Sequence, residues 1–570
     1  MQLALLDWLI ILAFFGVSIG IGIWAARTAG KSSEEFFLSG RNMPWWLLGI
    51  SMVATTFAAD TPNLVTQIVR EDGIAGNWVW WSFLLTALLT VFVYAKLWRR
   101  TGISTDLAFY ELRYSGKLAS FLRGFRAIYL GVFFNIAIMA TVSLAAIKIG
   151  AVILGFKPWE TLLIASVVTL IYSTIGGLKG VLYTDLFQFV LAIGGSIWAC
   201  VYLVNLPEVG GISNVMETLA PTGKTNLFPD FSEPSAYLPL FAIPLLLQWW
   251  SAWYPGAEPG GGGYIAQRML SAKDPKHATK ATLFFTFAHY ALRPWPWIII
   301  ALASLLVFPD LGAIQEAFPN VAPETIKNDI AYPAMITLLP VGLAGIVIAS
   351  LIAAYMSTIS THLNWGSSYV VNDVYQRFIR PSAKEKELVM VGRISTAVLL
   401  FFSAVLALFL EDALKAFKLL LQIGAGTGLL FLLRWFWRRI NPYSEVAAML
   451  FSFVVALIFH FNDQFGFEGS EEWKAYAVSV AITTFGWVGV TLITKTTDVE
   501  TWKQFKIKSF STTPVFSFII AFFAGLGMIF GSLFSVGWYL TADYNFVLFA
   551  IVIVIVSLFG LTKVWKKIND

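Results

Sequence analysis

Long apolar runs alternate with short polar connections along the whole chain. A helix needs about 20 consecutive apolar residues to cross about 30 Å of hydrocarbon. About fifteen stretches are long enough, at 4–26, 44–69, 77–98, 124–153, 158–178, 181–206, 236–255, 277–307, 334–374, 389–410, 413–437, 443–461, 474–495, 513–536 and 544–563. The runs are continuous and lack a period of two, which predicts helices and not barrel strands. The 334–374 stretch exceeds one crossing and predicts a tilted or extended helix. The expected fold class is an all-α polytopic membrane protein.

Composition removes the other classes. Of 570 residues, 58% are hydrophobic and 13% charged, and the mean hydropathy is +0.72. A soluble domain needs about 25% charge to keep its surface wet. The same figures exclude a disordered, collagen-like or disulfide-framed chain. The single cysteine, Cys200, excludes an internal disulfide and any Cys-clustered metal centre. A net charge of +5 invites a nucleic-acid reading. In a membrane protein the placement of the charges matters more than their sum, so no nucleic-acid partner is expected.

That placement predicts sidedness. Arg27 and Lys31 follow the first apolar run, whereas a cleaved signal carries its charges before the run. The N-terminus is therefore expected outside, and fifteen crossings leave the C-terminus inside. Loops assigned to the inside hold most of the basic residues, among them Arg99, Arg100, Arg113, Arg123, Arg126, Arg268, Lys273, Arg377, Arg434 and Lys506. Loops assigned to the outside hold few, such as Arg70, Lys157, Lys224 and Lys327. The longest loops, 207–235 and 308–333, show no core-forming pattern. Function is thus expected inside the membrane, and with the chain stopping after Lys567 no signalling domain is expected.

Interrupted spans beside polar residues mark binding sites, because backbone groups freed from helical pairing can hold ions. Two qualify: Ala54-Thr55-Thr56-Phe57-Ala58-Ala59-Asp60-Thr61-Pro62-Asn63, and Trp253-Tyr254-Pro255-Gly256-Ala257-Glu258-Pro259-Gly260-Gly261-Gly262-Gly263. They open corresponding helices if residues 44–206 and 236–438 are two five-span repeats. Five is odd, so the second copy is inverted, as in many alternating-access carriers. Residues 1–30 and 443–564 then contribute one and four flanking helices.

Few charges fall mid-membrane, where they are costly and rarely without purpose. Asp60, Lys148, Asp185 and Arg293 do, with His289 and His362 nearby. Lys148 is expected to snorkel outward. Asp185 suits an early helical turn, where it can pair with Lys179. Arg293 can meet Glu258, Asp60 or an anionic solute. The two histidines carry no catalytic spacing and read as helix-bridging hydrogen bonders. Ser357, Ser360 and Thr361 share one helix face, with Thr358 beside it. Hydroxyl oxygens facing unwound carbonyls suit a hard monovalent cation. The same spacing serves equally for back-bonding and close helix packing.

Three segments carry a family resemblance: Phe36-Phe37-Leu38-Ser39-Gly40-Arg41, the stretch Gly176-Gly177-Leu178-Lys179-Gly180 through Asp185 to Gln188, and Met356-Ser357-Thr358 leading to Asn372-Asp373-Val374-Tyr375. In this order they resemble the sodium:solute symporter family over roughly residues 4–440. The resemblance implies the inverted five-helix repeat with flanking helices, and Na+ as the coupling ion. It implies a first sodium site at the carbonyls of Ala54, Phe57 and Ala354 with the hydroxyls of Ser357 and Thr358. A possible second site falls on Asp185, Ser360 and Thr361, with Ser357 adjoining. On the solute side the chain departs from its sugar-carrying relatives: the second break is Pro/Gly-rich, not Asn/Gln-rich, and no lysine stands near Tyr290. Asp60, Thr61, Trp80, Glu258 and Gln422 are the candidate solute contacts. The expected function is sodium-coupled import of a small organic solute (sugar, polyol, amino acid or carboxylate) across a plasma membrane of bacterial inner-membrane type. No organic cofactor and no enzymatic activity are expected, and the lipid bilayer is the one other partner. The alternatives are a proton-coupled or uniporting carrier of the same shape and, further off, a membrane-embedded enzyme.

Overall fold

The computed structural model describes residues 3–252, 257–410, 413–461, 471–510 and 514–569. Among these the architecture is all helical. The only β-type pairing is an isolated bridge between Met43 and Ala272. Among the described residues, eleven helices are long and apolar enough to cross a membrane, from Leu5–Ala29 to Tyr544–Ile568. Their outer faces are large apolar side chains such as Phe401, Phe485 and Ile493, which lipid can cover.

Several apolar stretches do not form one straight helix each. The runs at 158–178 and 181–206 belong to one long helical element, Pro158–Val204, bent at Gly177, whose φ of 55° and ψ of −163° are non-helical. A Cβ at Gly177 would stand 2.8 Å from the Phe36 carbonyl oxygen. Glycine is therefore required both for the left-handed φ and for the close approach. The expected single helix over 334–374 is also divided. A short helix, Ala331–Ile336, precedes it, and the long helix begins only at Leu343. Gly342, at φ 86°, turns the chain between them. Trp45–Thr56 and Asp60–Asp72 are separated by a break at Phe57–Ala59. Toward the end of the expected second repeat, Ala413–Gly424 and Gly428–Leu433 are likewise interrupted.

At the centre, Leu343–Tyr369 is buried over nearly its whole length. Leu5–Ala29 packs beside it and against Pro158–Val204. A Cβ on Gly345 would lie 2.6 Å from the Asp7 Cα, and one on Gly22 would lie 3.0 Å from the Tyr172 Cβ. Small residues thus set the helix separation. Asp7 then fastens the junction. Its carboxylate accepts the Gly342 and Gly345 amides at 2.7 and 2.9 Å, at the positive end of the Leu343–Tyr369 helix.

The four long helices described beyond residue 440 form two antiparallel pairs, Pro442–Phe461 with Glu472–Ile493 and Val515–Leu540 with Tyr544–Asn569, joined through the shorter Val499–Ser509. The last pair is tied to the bundle by Trp295 Nε1 donating to the Leu533 carbonyl at 3.1 Å and Lys96 Nζ donating to the Ile568 carbonyl at 2.9 Å. The long connections at 207–235 and 308–333 carry short helices, Ile212–Leu219 and Leu311–Ala317, with Val215, Leu219 and Ile314 turned inward.

Several cations read as loop charges are buried fasteners. Arg113 donates to the carbonyls of Arg434 and Trp437 and to Thr497 Oγ1. Arg126 pairs with Glu258, and Arg268 lies inside the Gly263–Ser271 helix with no exposed surface. Lys148 does not snorkel: its Nζ meets Asp329 Oδ2 at 2.7 Å and is buried.

Candidate functional site: two helix breaks, a hydroxyl face and one cavity

The first break has a local cause. Thr56 Oγ1 donates back to the carbonyls of Met52 and Val53 at 3.1 and 2.9 Å, a competition that weakens continued helical pairing. Pro62 has no N–H and fits the first turn of the restarted Asp60–Asp72 helix. At Phe57 the backbone leaves the helix with φ −91° and ψ 69°. The Phe57 amide is still satisfied, by the carbonyls of Val53 and Ala54, while its ring packs on Trp297 with centroids 4.8 Å apart.

The hydroxyl face of Leu343–Tyr369 stands directly against this break. Thr358 Oγ1 donates to the Thr55 carbonyl at 2.9 Å and to Ala354, four residues back, at 3.1 Å. Thr361 Oγ1 lies 3.0 Å from Thr55 Oγ1. Ser357 Oγ donates to Asp185 Oδ1 at 2.7 Å. Ser360 Oγ turns to the Ser357 carbonyl of its own helix at 3.1 Å. The two uses of hydroxyls left open by spacing alone, back-bonding and facing an unwound segment, therefore coexist in Thr358.

Asp185 does not pair with Lys179, whose Nζ lies over the Trp24 ring. Its Oδ2 instead accepts from Ser51 Oγ at 2.5 Å and faces Arg268 Nη2 at 3.9 Å. Sequence reasoning missed Ser51, Thr55 and Arg268. The signal for Arg268 is weak, one cation in the nine-residue helix that follows the glycine run.

In the second break, Trp253–Gly256 lie outside the described residues. The chain resumes at Ala257, and Gly260 and Gly261 adopt φ of 83° and 92° before Gly263–Ser271 begins. Glu258 Oε1 pairs with Arg126, and Glu258 Oε2 has no hydrogen-bond partner. Arg293 therefore does not meet Glu258. Its Nη1 donates to Thr56 Oγ1 at 3.1 Å and its Nε is unpartnered.

One cavity of about 1140 Å³ joins the two breaks. Asp60, Thr61, Trp80, Glu258 and Gln422 all line it, as do Thr55 and Thr358. Ser357 and Asp185 are not among the lining residues. Thr358 thus lies where the cavity meets the polar network beyond its wall. Sequence reasoning did not assign Asn63, which lines the same space with both its Oδ1 and its Nδ2 unpartnered, and Gln422 Nε2 is unpartnered too. Trp80 Nε1 is taken by Asn77 Oδ1, and its ring stacks on Tyr290. His289 Nδ1 reaches Thr56 Oγ1 and His362 Nδ1 reaches Asn135 Oδ1, so both histidines bridge helices.

Polar groups of the resembling segments are bound by residues from elsewhere in the chain. Gln267 Nε2 donates to the Phe37 carbonyl at 3.0 Å and to Asn364 Oδ1 at 2.9 Å. Asp373 Oδ1 accepts from Thr105 Oγ1 and Arg123 Nε.

A cavity with polar side chains set in a mostly apolar wall, between two helix breaks inside an apolar helical bundle, is the arrangement of a membrane transport protein. The comparisons agree. A substrate-bound, outward-open Na+-coupled sialic acid symporter superposes with a TM-score of 0.70 at 19% identity, over 87% of this chain and 100% of that one, which establishes a shared fold. The model of the sodium:solute symporter family matches residues 36–451, and the chain belongs to that family. Among curated relatives, a sodium/glucose cotransporter of Vibrio parahaemolyticus is 27% identical over 80% of this chain and 86% of its own. A sodium/mannose cotransporter of Bos taurus is 26% identical over 77% and 76%. The protein is a sodium-coupled, multi-pass transporter of the plasma membrane and not an enzyme.

Proposed function

We propose that the chain imports a small polyhydroxylated solute, a sugar or polyol, together with Na+ by alternating access. The observation that carries this reading is the Thr358–Thr55 contact, which joins the hydroxyl helix to the first break at the edge of the cavity. Sodium binds there, between the carbonyls of Ala54, Phe57 and Ala354 and the hydroxyls of Ser357 and Thr358. The ion orders the broken helix against its neighbour and so raises solute affinity, and the solute raises sodium affinity by the same factor.

The solute sits in the cavity against Asp60, Thr61, Trp80, Glu258 and Gln422. Asn63 and Gln422 support a neutral polyol, because an amide can both donate to and accept from neighbouring hydroxyls. The names of the glucose and mannose cotransporting relatives point the same way. The unpartnered Nε of Arg293, also in the cavity wall, favours a second reading in which the solute carries a carboxylate.

The eleven long helices, the shorter apolar stretches beginning at Trp45, Pro234 and Ala413, and the bend at Gly177 that divides one long element in two support fifteen crossings. The N-terminus is then outside, the C-terminus inside, and 44–206 and 236–438 form the inverted repeats. One Na+ entering down 100 mV yields about 2.3 kcal/mol, and a tenfold gradient adds about 1.4 kcal/mol. Their sum sustains roughly 500-fold accumulation.

A thermal-shift screen of sugars, polyols, amino acids and carboxylates, each with NaCl or choline chloride, tests the reading. Sodium-dependent stabilisation by a sugar or polyol is expected. Stabilisation by carboxylates alone moves the assignment to the Arg293 reading. Solute uptake that proceeds undiminished in choline at fixed pH sinks sodium coupling in favour of a proton-coupled or uniporting carrier.

A further inference from the structure

We infer that the Arg268 guanidinium is a tethered cation standing where a second sodium ion would otherwise bind, so that each cycle carries a single exchangeable sodium. This rests on the sodium-coupled reading above and concerns its stoichiometry.

The argument begins with Asp185, which has no solvent-exposed surface. An ionised carboxylate at that depth needs a compensating positive charge. Ser51 and Ser357 give it hydrogen bonds but no charge. The cation facing it, 3.9 Å from Oδ2, is Nη2 of Arg268.

The guanidinium is held from several sides. Nη2 donates to Thr361 Oγ1 at 2.7 Å, Nε and Nη2 each lie 3.2 Å from Ser51 Oγ, and Nη1 donates to Gln267 Oε1 at 3.0 Å. The surrounding atoms are thus oxygens of a carboxylate, two hydroxyls and an amide, a set that would suit an alkali ion were the guanidinium absent.

The residues that the family resemblance offers to a second ion do not fit one. Thr361 Oγ1 is engaged by Arg268 and by Thr55. Ser360 Oγ turns back onto its own helix. A sodium ion beside Asp185 would put two positive charges against one buried carboxylate, in a medium that screens poorly. The guanidinium cannot yield by deprotonation, and its covalent attachment to the Gly263–Ser271 helix prevents it from leaving as an ion does. Driving energy is therefore that of one ion per cycle.

Equilibrium binding of radiosodium to the purified full-length protein tests this without knowledge of the solute. The wild type is expected to bind one ion per chain, and NaCl-dependent thermal stabilisation is expected to follow a Hill coefficient of one. Two bound ions overturn the inference and leave sodium coupling intact, whereas no bound ion overturns the sodium reading and this inference with it. Asp185→Asn is expected to keep one ion, and a fall from two to one contradicts the assignment. Arg268→Ala, where folded, is expected to gain a second ion, and a folded variant that still binds one shows that the guanidinium holds no ion's place. If Arg268→Ala does not fold, the wild-type and Asp185→Asn stoichiometries decide.

Discussion

Arg126→Leu perturbs the cavity wall at one defined pair. Arg126 and Glu258 are both buried, and their ion pair connects the Lys117–Ile128 helix to the far side of the second break. Glu258 Oε2 already lacks a partner, so removing the guanidinium leaves a buried carboxylate without its hydrogen-bonded cation, with the more distant charge of Arg434 as partial compensation. Breaking a buried pair from one side costs about 3–5 kcal/mol. The variant also loses the stacking of the guanidinium over Phe431 and Tyr110, at 5.0 and 5.5 Å, worth about 0.5–2 kcal/mol per ring. Arg126→Leu combined with Glu258→Leu removes both charges. It should recover most of the ionic loss but none of the stacking, which leaves a coupling energy of about 2–4 kcal/mol. SDS-induced unfolding in mixed micelles measures all four corners of the cycle. A single-variant loss below about 1 kcal/mol, or a coupling energy near zero, refutes the claim that this pair closes the second break.

The remaining predictions concern the sodium face, a helix crossing and the arginine-bound Glu111. Thr358→Ala removes the hydroxyl that joins the break, an interaction worth about 1–3 kcal/mol, so the sodium concentration for half-maximal thermal stabilisation should rise about tenfold or more; an unchanged midpoint counts against Thr358 as a ligand. Gly345→Leu must push against the Asp7 backbone and should cost about 1–3 kcal/mol or more, whereas Gly20→Ala, with nothing within 4 Å of its Cβ, should be tolerated. Equal melting temperatures for these two variants would contradict the packing account. Burial works against ionisation of Glu111, but hydrogen bonds from Arg377, Ser120 and Arg123 prevail and hold its carboxyl down to about 2 from an ordinary 4.5. Its stabilising contribution is therefore full above about pH 4.5 and is lost as the pH falls toward 2. Glu111→Gln should flatten the acid limb of stability below about pH 5, and an unaltered limb refutes the role.

What the sequence disclosed was local. Pro62 and the glycines of 260–263 announce breaks because proline and glycine act on their own backbone. The grouping of Ser357, Ser360 and Thr361 follows from helical geometry alone. Partners across helices were not legible, since they depend on crossing angles that no local pattern encodes. Asp185 was read with Lys179, six positions earlier, yet it faces Arg268 on another helix. Lys148 is expected to snorkel and instead meets Asp329, 181 residues further along the chain. Lys179 looked like the loop between two spans. The turn there is made at Gly177, and the flanking residues remain helical.

The central claim is that sodium binds between the first break and the hydroxyl helix. Anomalous scattering from crystals in which thallium replaces sodium tests it most directly. The account predicts a peak within coordinating reach of the Ala54 and Phe57 carbonyls and the Ser357 and Thr358 hydroxyls, lost in a Ser357→Ala/Thr358→Ala variant. A map with no peak there, or with its peak persisting in that variant, contradicts it.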